Sequence, residues 1–169
     1  MAVPEAPPSI RASLLRKALA DAAQRAALAR RLGLTANEVL AVQHLARAGE
    51  LTPGQLNARL QLSSGGTTGL IHRMQRAGHV TRDGHPRDGR SAVLRLTPEI
   101  RTSAADAWAP LVSEIDSLVN ELPLNEAAVV RGFLASVADA AERHANRLAA
   151  DADAAAHGAL AVPLPALWA

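Results

Sequence analysis

A mainly α-helical chain carrying one small antiparallel β-hairpin is the fold class that the sequence predicts, on three observations. Alanine and leucine dominate a composition that is 49% hydrophobic but only 2% aromatic, which favours helices packed through aliphatic stripes over sheets built from aromatic and β-branched residues. Apolar residues recur at three- and four-residue spacing through most of the chain. Only between Gly78 and Thr97 does that period give way to two short extended runs around a cluster of turn residues.

At 169 residues the chain can bury one sizeable core with attached oligomerisation helices, and is too short for a multi-domain enzyme. Residues 1–8, with Pro4, Pro7 and Pro8, read as a flexible leader. From Ser9 the residues Ile10, Leu14, Leu15, Ala18, Leu19, Ala22 and Ala26 form the stripe of a first helix, expected within 9–33 and stopped by Gly33. Thr35-Ala36-Asn37-Glu38 is a capping box that opens the second, with Val39, Leu40, Val42, Leu45 and Ala46 as its buried face and Gly49 as its stop. Thr52-Pro53-Gly54-Gln55 repeats the device, with proline at the first helical position, and starts a short helix to about Leu60. After Gln61-Leu62, Ser63 can cap a further helix that Gly78 closes. Two helices, the first short, joined by a tight connection make a helix-turn-helix.

His79–Asp83 and Ala92–Leu96 are the expected strands, with Gly84-His85-Pro86-Arg87-Asp88-Gly89-Arg90 as a long basic tip. Residues 34–97 therefore read as a winged helix-turn-helix. Thr97-Pro98-Glu99 caps a fifth helix striped by Trp108, Leu111, Val112, Ile115, Leu118, Val119 and Leu122, which Pro110 should kink or split. Leu122-Pro123-Leu124-Asn125 ends it and caps a last helix, about 126–150, striped by Val130, Phe133, Leu134, Val137, Ala141, Ala145 and Leu148. Such long stripes need a partner, so 9–33 and 98–150 are expected to be dimerisation helices that pair with a second copy. Residues 151–169 form an apolar tail broken by Pro163 and Pro165.

The formal net charge of +2 hides a strong division: residues 52–101 hold eight basic and three acidic side chains, residues 102–169 three and nine. A basic middle points to a polyanion as partner. Seventeen arginines against the single Lys17 also admit a compositional bias of the genome.

Other classes are set aside. There is no cysteine, hence no disulfide, thiolate metal site or thiol redox sensor. The histidines His44, His72, His79, His85, His144 and His157 show no i,i+4 pair, so no metal or cofactor is expected. No phosphate loop, Gly-x-Ser-x-Gly elbow or framed pair of carboxylates suggests an enzyme. Charged residues interrupt every long apolar run, so the expectation is a cytoplasmic protein without membrane contact.

The helix that Ser63 caps begins Ser64-Gly65-Gly66-Thr67-Thr68, small and hydroxyl-bearing residues that let a backbone approach a groove. In a helix-turn-helix the second helix enters the major groove by its N-terminal part. Ser64, Thr67, Thr68 and His72 are thus the base-edge candidates, and Ser63 and Arg73 the phosphate candidates. Plainer readings stand beside these: Ser63 as a cap only, Arg73 and Arg76 as a solvated face, Gly65-Gly66 as relief of packing. The hairpin carries Arg87 and Arg90, suited to the negative potential of a minor groove, with Asp88 placed to orient Arg90; its plainer reading is an exposed loop charged for solubility.

The ordered set of motifs resembles the MarR family. Leu62-Ser63-Ser64-Gly65-Gly66-Thr67-Thr68-Gly69-Leu70-Ile71-His72-Arg73-Met74 looks like its recognition helix and Arg76-Ala77-Gly78-His79-Val80-Thr81-Arg82 like the exit into its wing. Asp88-Gly89-Arg90 followed by Leu94-Arg95-Leu96-Thr97 is similar to its wing signature, and the likeness covers about residues 10–150. It implies a triangular homodimer on double-stranded DNA, reading a pseudo-palindrome, with Asp88 bracing Arg90 in the minor groove. His72, His79 and Ile100 depart from the usual pattern; the first bears on sequence preference, the others on packing. The resemblance further implies a repressor, less often an activator, released by a small anionic or aromatic effector. Arg16, His44 and Trp108 are candidates to line that effector's cleft, against plainer readings of His44 as a satisfied half-buried histidine and Trp108 as core. The alternative from another class is a winged-helix module that binds a protein and has no specific DNA site.

Overall fold

The computed structural model describes residues 9–85 and 88–157. In chain order the elements are α1 (Ile10–Leu32), α2 (Ala36–Ala48), α3 (Pro53–Leu60), α4 (Ser64–Arg76), β1 (Val80–His85), β2 (Asp88–Leu96), α5 (Pro98–Asn120) and α6 (Leu124–His157). Two compact units divide at Leu111, inside α5 and one residue past Pro110.

Helix boundaries in the first unit follow from local chemistry. Ser9 caps α1 by accepting from the Ala12 amide at 3.2 Å. The helix closes where Gly33 turns left-handed at φ 66° and the Leu34 amide reaches back to the Ala29 carbonyl at 2.8 Å, a conformation glycine adopts without a Cβ penalty. Both predicted capping boxes form. Thr35 Oγ1 accepts from the Glu38 amide while Glu38 Oε2 accepts from the Thr35 amide, and Thr52 and Gln55 exchange the same pair of bonds. The result is three helices whose starting points are fixed by local caps before any tertiary packing is counted.

These helices share one core. Val39, Val42 and Leu45 of α2, Leu56 of α3, Leu70, Ile71 and Met74 of α4 and Val80, Leu94 and Leu96 of the hairpin are buried in it, joined by Leu28 and Ala29 of α1 and Ile100 and Ala104 of α5. β1 and β2 pair antiparallel from Val80↔Leu96 to Gly84↔Ala92. Leu51 adds a bridge to β2 by exchanging backbone bonds with Leu94, which ties the hairpin to the end of α2.

Four details depart from the expectations. The strands run further than His79–Asp83 and Ala92–Leu96: the register shifts after Gly84 and resumes at His85↔Asp88, so extended, bulged backbone occupies much of the expected loop. Thr97 precedes α5, but its hydroxyl donates to the Gly78 carbonyl at 2.9 Å, fastening the start of α5 to the exit of α4. Of the two effects expected of Pro110 the split is absent, since helix α5 is continuous through it. Helix α6 has 34 residues, not about 25, and at 1.5 Å per residue is roughly 51 Å long. Its extension takes in Asp151–His157, since the alanine-rich run there has the highest helix propensity available. The leader 1–8 and the tail beyond His157 lie outside the described residues, as does a test of the tail's role.

In the second unit, Leu118, Val119, Val129, Val130, Phe133, Leu134 and Leu148 are exposed in the single chain. Ile10, Leu15 and Leu19 of α1 are exposed in the first. No described helix is long and apolar enough to cross a membrane.

Candidate nucleic-acid interface

The surface offered to a polyanion is built on α4. Ser63 caps it by accepting from the Gly66 amide at 3.1 Å, so the cap reading of Ser63 holds in the free protein. Ser64, Thr68 and His72 follow at intervals of four, form one row along the helix, and are all exposed. Thr68 Oγ1 donates to the Ser64 carbonyl at 2.9 Å, leaving its oxygen lone pairs on the surface as acceptors. Gly65 is exposed with open space where a side chain would stand, and a Cβ at Gly66 would lie 3.1 Å from Ser63 Oγ.

Thr67 corrects the expectation placed on it. It is only 3% exposed, and its hydroxyl donates to Asn57 Oδ1 of α3. The physical reason is its place on the inner face with Leu70, Ile71 and Met74, at spacings of three, four and seven. Thr67 therefore holds α3 against α4 and presents nothing to a base.

Arg73 is half exposed, and its Nε donates to Glu38 Oε1 of α2 at 3.2 Å. Its guanidinium lies back along α4 over Gly69, where an added Cβ would stand 3.6 Å from Nη1. The Glu38 carboxyl is held below its ordinary range. Burial pushes it up, but the hydrogen bonds from Thr35 and the bond and charge of Arg73 together outweigh that push.

The wing is anchored by Arg95 of β2, whose Nη1 donates to Asp83 Oδ2 of β1 at 3.2 Å and whose Nη2 pairs with Glu50 Oε2 beyond the end of α2. Thr81 Oγ1 donates to the same Asp83 oxygen. Asp88 and Arg90 fall on the backbone of β2, but their side chains, and Arg87 altogether, lie outside the described residues.

The three effector candidates are placed separately. Arg16 is exposed on α1, His44 half-buried on α2 and Trp108 half-buried on α5 against the core. His44 is held below its ordinary value, by burial first and by the charges of Arg59 and Arg47 after it. None of the three lines the cleft of about 650 Å³ that the first unit does contain, which is walled by Arg31, Leu32, Gly78, His79, Glu99 and Asp106, among others. Among the described residues no group of three or more His, Asp or Glu could hold a metal ion.

Sequence reasoning missed Glu38, Asn57 and the Arg95 network. Glu38 was visible as a cap, and only its second oxygen's partner, 35 residues away, was hidden. Asn57 carries no local mark that assigns it to Thr67.

Comparison with known proteins agrees with this geometry. The sequence pattern of the MarR family matches residues 32–91. An uncharacterized HTH-type transcriptional regulator of Bacillus subtilis (strain 168), YcgE, is 30% identical over 122 residues, which cover 72% of this chain and 79% of that protein. The chain belongs to the MarR family. This regulator shares its fold with NadR, solved in complex with 4-hydroxyphenylacetate, at a TM-score of 0.60 and 22% identity over 82% of this chain and 98% of that one. It shares it also with the apo form of wild-type MarR from E. coli, at 0.55 and 19% over 79% and 98%. The family is one of DNA-binding transcriptional regulators, not of enzymes.

Proposed function

We propose that this MarR-family regulator acts as a homodimeric repressor that occupies a pseudo-palindromic operator and is released by a small effector. The observation that carries the reading is the exposed row Ser64, Thr68 and His72 on a helix whose opposite face is locked into the core, beside an anchored hairpin. A rigid helix with a polar, small-residue N-terminal half suits the major groove. The hairpin residues Arg87, Asp88 and Arg90 extend the reading to the adjacent minor groove.

The winged region is 34–97, and the exposed apolar residues of 9–33 and 98–150 supply the dimer surface. Side chains such as Leu19, Leu118 and Phe133, exposed in the single chain, are what a second copy would cover. Two copies would set two α4 helices about one turn of DNA apart, which is the geometric origin of a pseudo-palindrome. NadR's ligand is a small aromatic acid, and an effector of that chemistry is the first to try here.

The test is an anisotropy titration against duplexes that the protein selects from a random-sequence library and against scrambled duplexes, over a range of salt. The expected result is a preference of ~10³ or more for the selected duplex and a steep fall of affinity with salt. Equal binding to both duplexes, or none at low salt, would overturn the reading and favour a protein-binding module.

A further inference from the structure

Arg73 stands where a phosphate contact is expected, yet its Nε is committed to a carboxylate. An acidic group beside a DNA-facing cation lowers the attraction for phosphate, so the pairing requires a reason.

The geometry supplies one. Glu38 is almost buried, its side chain 9% exposed, and both its oxygens are engaged: Oε2 takes the Thr35 amide at 2.9 Å and Oε1 takes Arg73 Nε at 3.2 Å. The carboxylate cannot follow a mobile arginine, because the capping box fixes it to the first turn of α2. The inner edge of the guanidinium is thus pinned, while the side chain as a whole stays 52% exposed. The guanidinium lies over Gly69 without crowding, since even an added Cβ there would stand 3.6 Å from Nη1. An unpinned arginine samples many rotamers and loses that freedom on binding; a planar fork fixed in advance loses less.

We propose that Glu38 is a positioning residue for DNA recognition, holding the Arg73 guanidinium at a set point on α4 so that its outer nitrogens meet one phosphate and fix the register of the helix in the groove. The inference rests on the DNA-binding reading above. Phosphate contacts of this kind carry no base information themselves, but they determine which base edges the row Ser64, Thr68 and His72 can reach.

Glu38→Gln separates the roles, because glutamine still completes a capping box but carries no charge to pair with Arg73. Loss of a negative charge by itself raises affinity for any DNA, whereas loss of positioning lowers affinity most for the selected sequence, whose base contacts depend on register. Titrations use wild type, Glu38→Gln, Arg73→Gln and the double variant, with the duplex enriched by wild type from a random library and a scrambled duplex as probes. Urea unfolding confirms that each variant is folded at the assay temperature. The expected result is an approximately tenfold fall in affinity of Glu38→Gln for the selected duplex, unchanged or raised affinity for the scrambled one, and no further effect of Glu38→Gln in the Arg73→Gln background. An unchanged or improved preference in Glu38→Gln overturns the inference while leaving DNA recognition intact. So does a loss that persists undiminished without Arg73. Failure of wild type to enrich any duplex overturns the DNA reading and the inference with it.

Discussion

The Thr67 hydroxyl of α4 donates to Asn57 Oδ1 of α3, and this side-chain bond joins the two helices of the helix-turn-helix. Both groups are partly or wholly withdrawn from water, so removing one leaves the other poorly satisfied. Thr67→Val keeps the shape and loses the hydroxyl, and is expected to lower stability by about 1–2 kcal/mol. Asn57→Ala should act on the same bond, so the double variant should lose less than the two single losses combined. Urea unfolding of the four proteins measures this directly. Fully additive losses would show that the bond contributes nothing.

Arg95 predicts a different outcome, because it bridges Glu50 and Asp83 at the surface. Its side chain is 40% exposed and those of its partners 41% and 53%, so solvent screens both pairs and Arg95→Gln is expected to change stability by less than about 1 kcal/mol. The local effect should be larger than the global one. With the link to Glu50 gone, the amides of β1 and β2 should exchange hydrogen faster while those of α2 do not, which residue-resolved exchange reads. Uniform acceleration across the first unit would contradict this.

Among the described residues two groups, His44 and Glu38, make stability depend on pH, each from its own starting point. Folding lowers His44 from its ordinary 6.5, so the unfolded chain takes up a proton first as pH falls. His44 therefore contributes a loss of stability that begins near pH 6.5 and ends once the folded state is protonated too. Glu38 is lowered from 4.5, so its contribution is complete above that value and is lost as pH falls through the folded value. His44→Gln is expected to flatten the curve just below pH 6.5 and leave the loss below 4.5 in place. An unaltered curve in the upper window would rule out His44 as its source.

What could be seen in the sequence was local. The two capping boxes, the Gly33 stop and the Ser63 cap of α4 each depend on residues within one or two turns, and they stand as expected. The inward turn of Thr67 was equally legible, since it shares its face with Leu70, Ile71 and Met74, and polarity drew attention away from spacing. The length of the hairpin was not legible, because its outer register depends on a bulge after Gly84. The Glu38–Arg73 pair was hidden for a related reason: it spans 35 residues and exists only after α2 and α4 have packed. The last helix was expected to end near residue 150, but the alanine-rich run that follows carries it on to His157.

Gly65 and Gly66 sit side by side in the first turn of α4, yet alanine should act differently at each. At Gly66 the new Cβ would stand 3.1 Å from Ser63 Oγ, so any gain in helix propensity is opposed by displacement of the cap. At Gly65 nothing lies within 4 Å, so Gly65→Ala should raise stability by up to about 1 kcal/mol. That same open space faces outward, where a DNA backbone or base edge would approach. Gly65→Ala is therefore expected to be more stable than wild type in urea unfolding and to bind its selected duplex more weakly in anisotropy titration. Gain of stability with unchanged affinity would place Gly65 outside the DNA contact and shift the close approach toward Thr68 and His72.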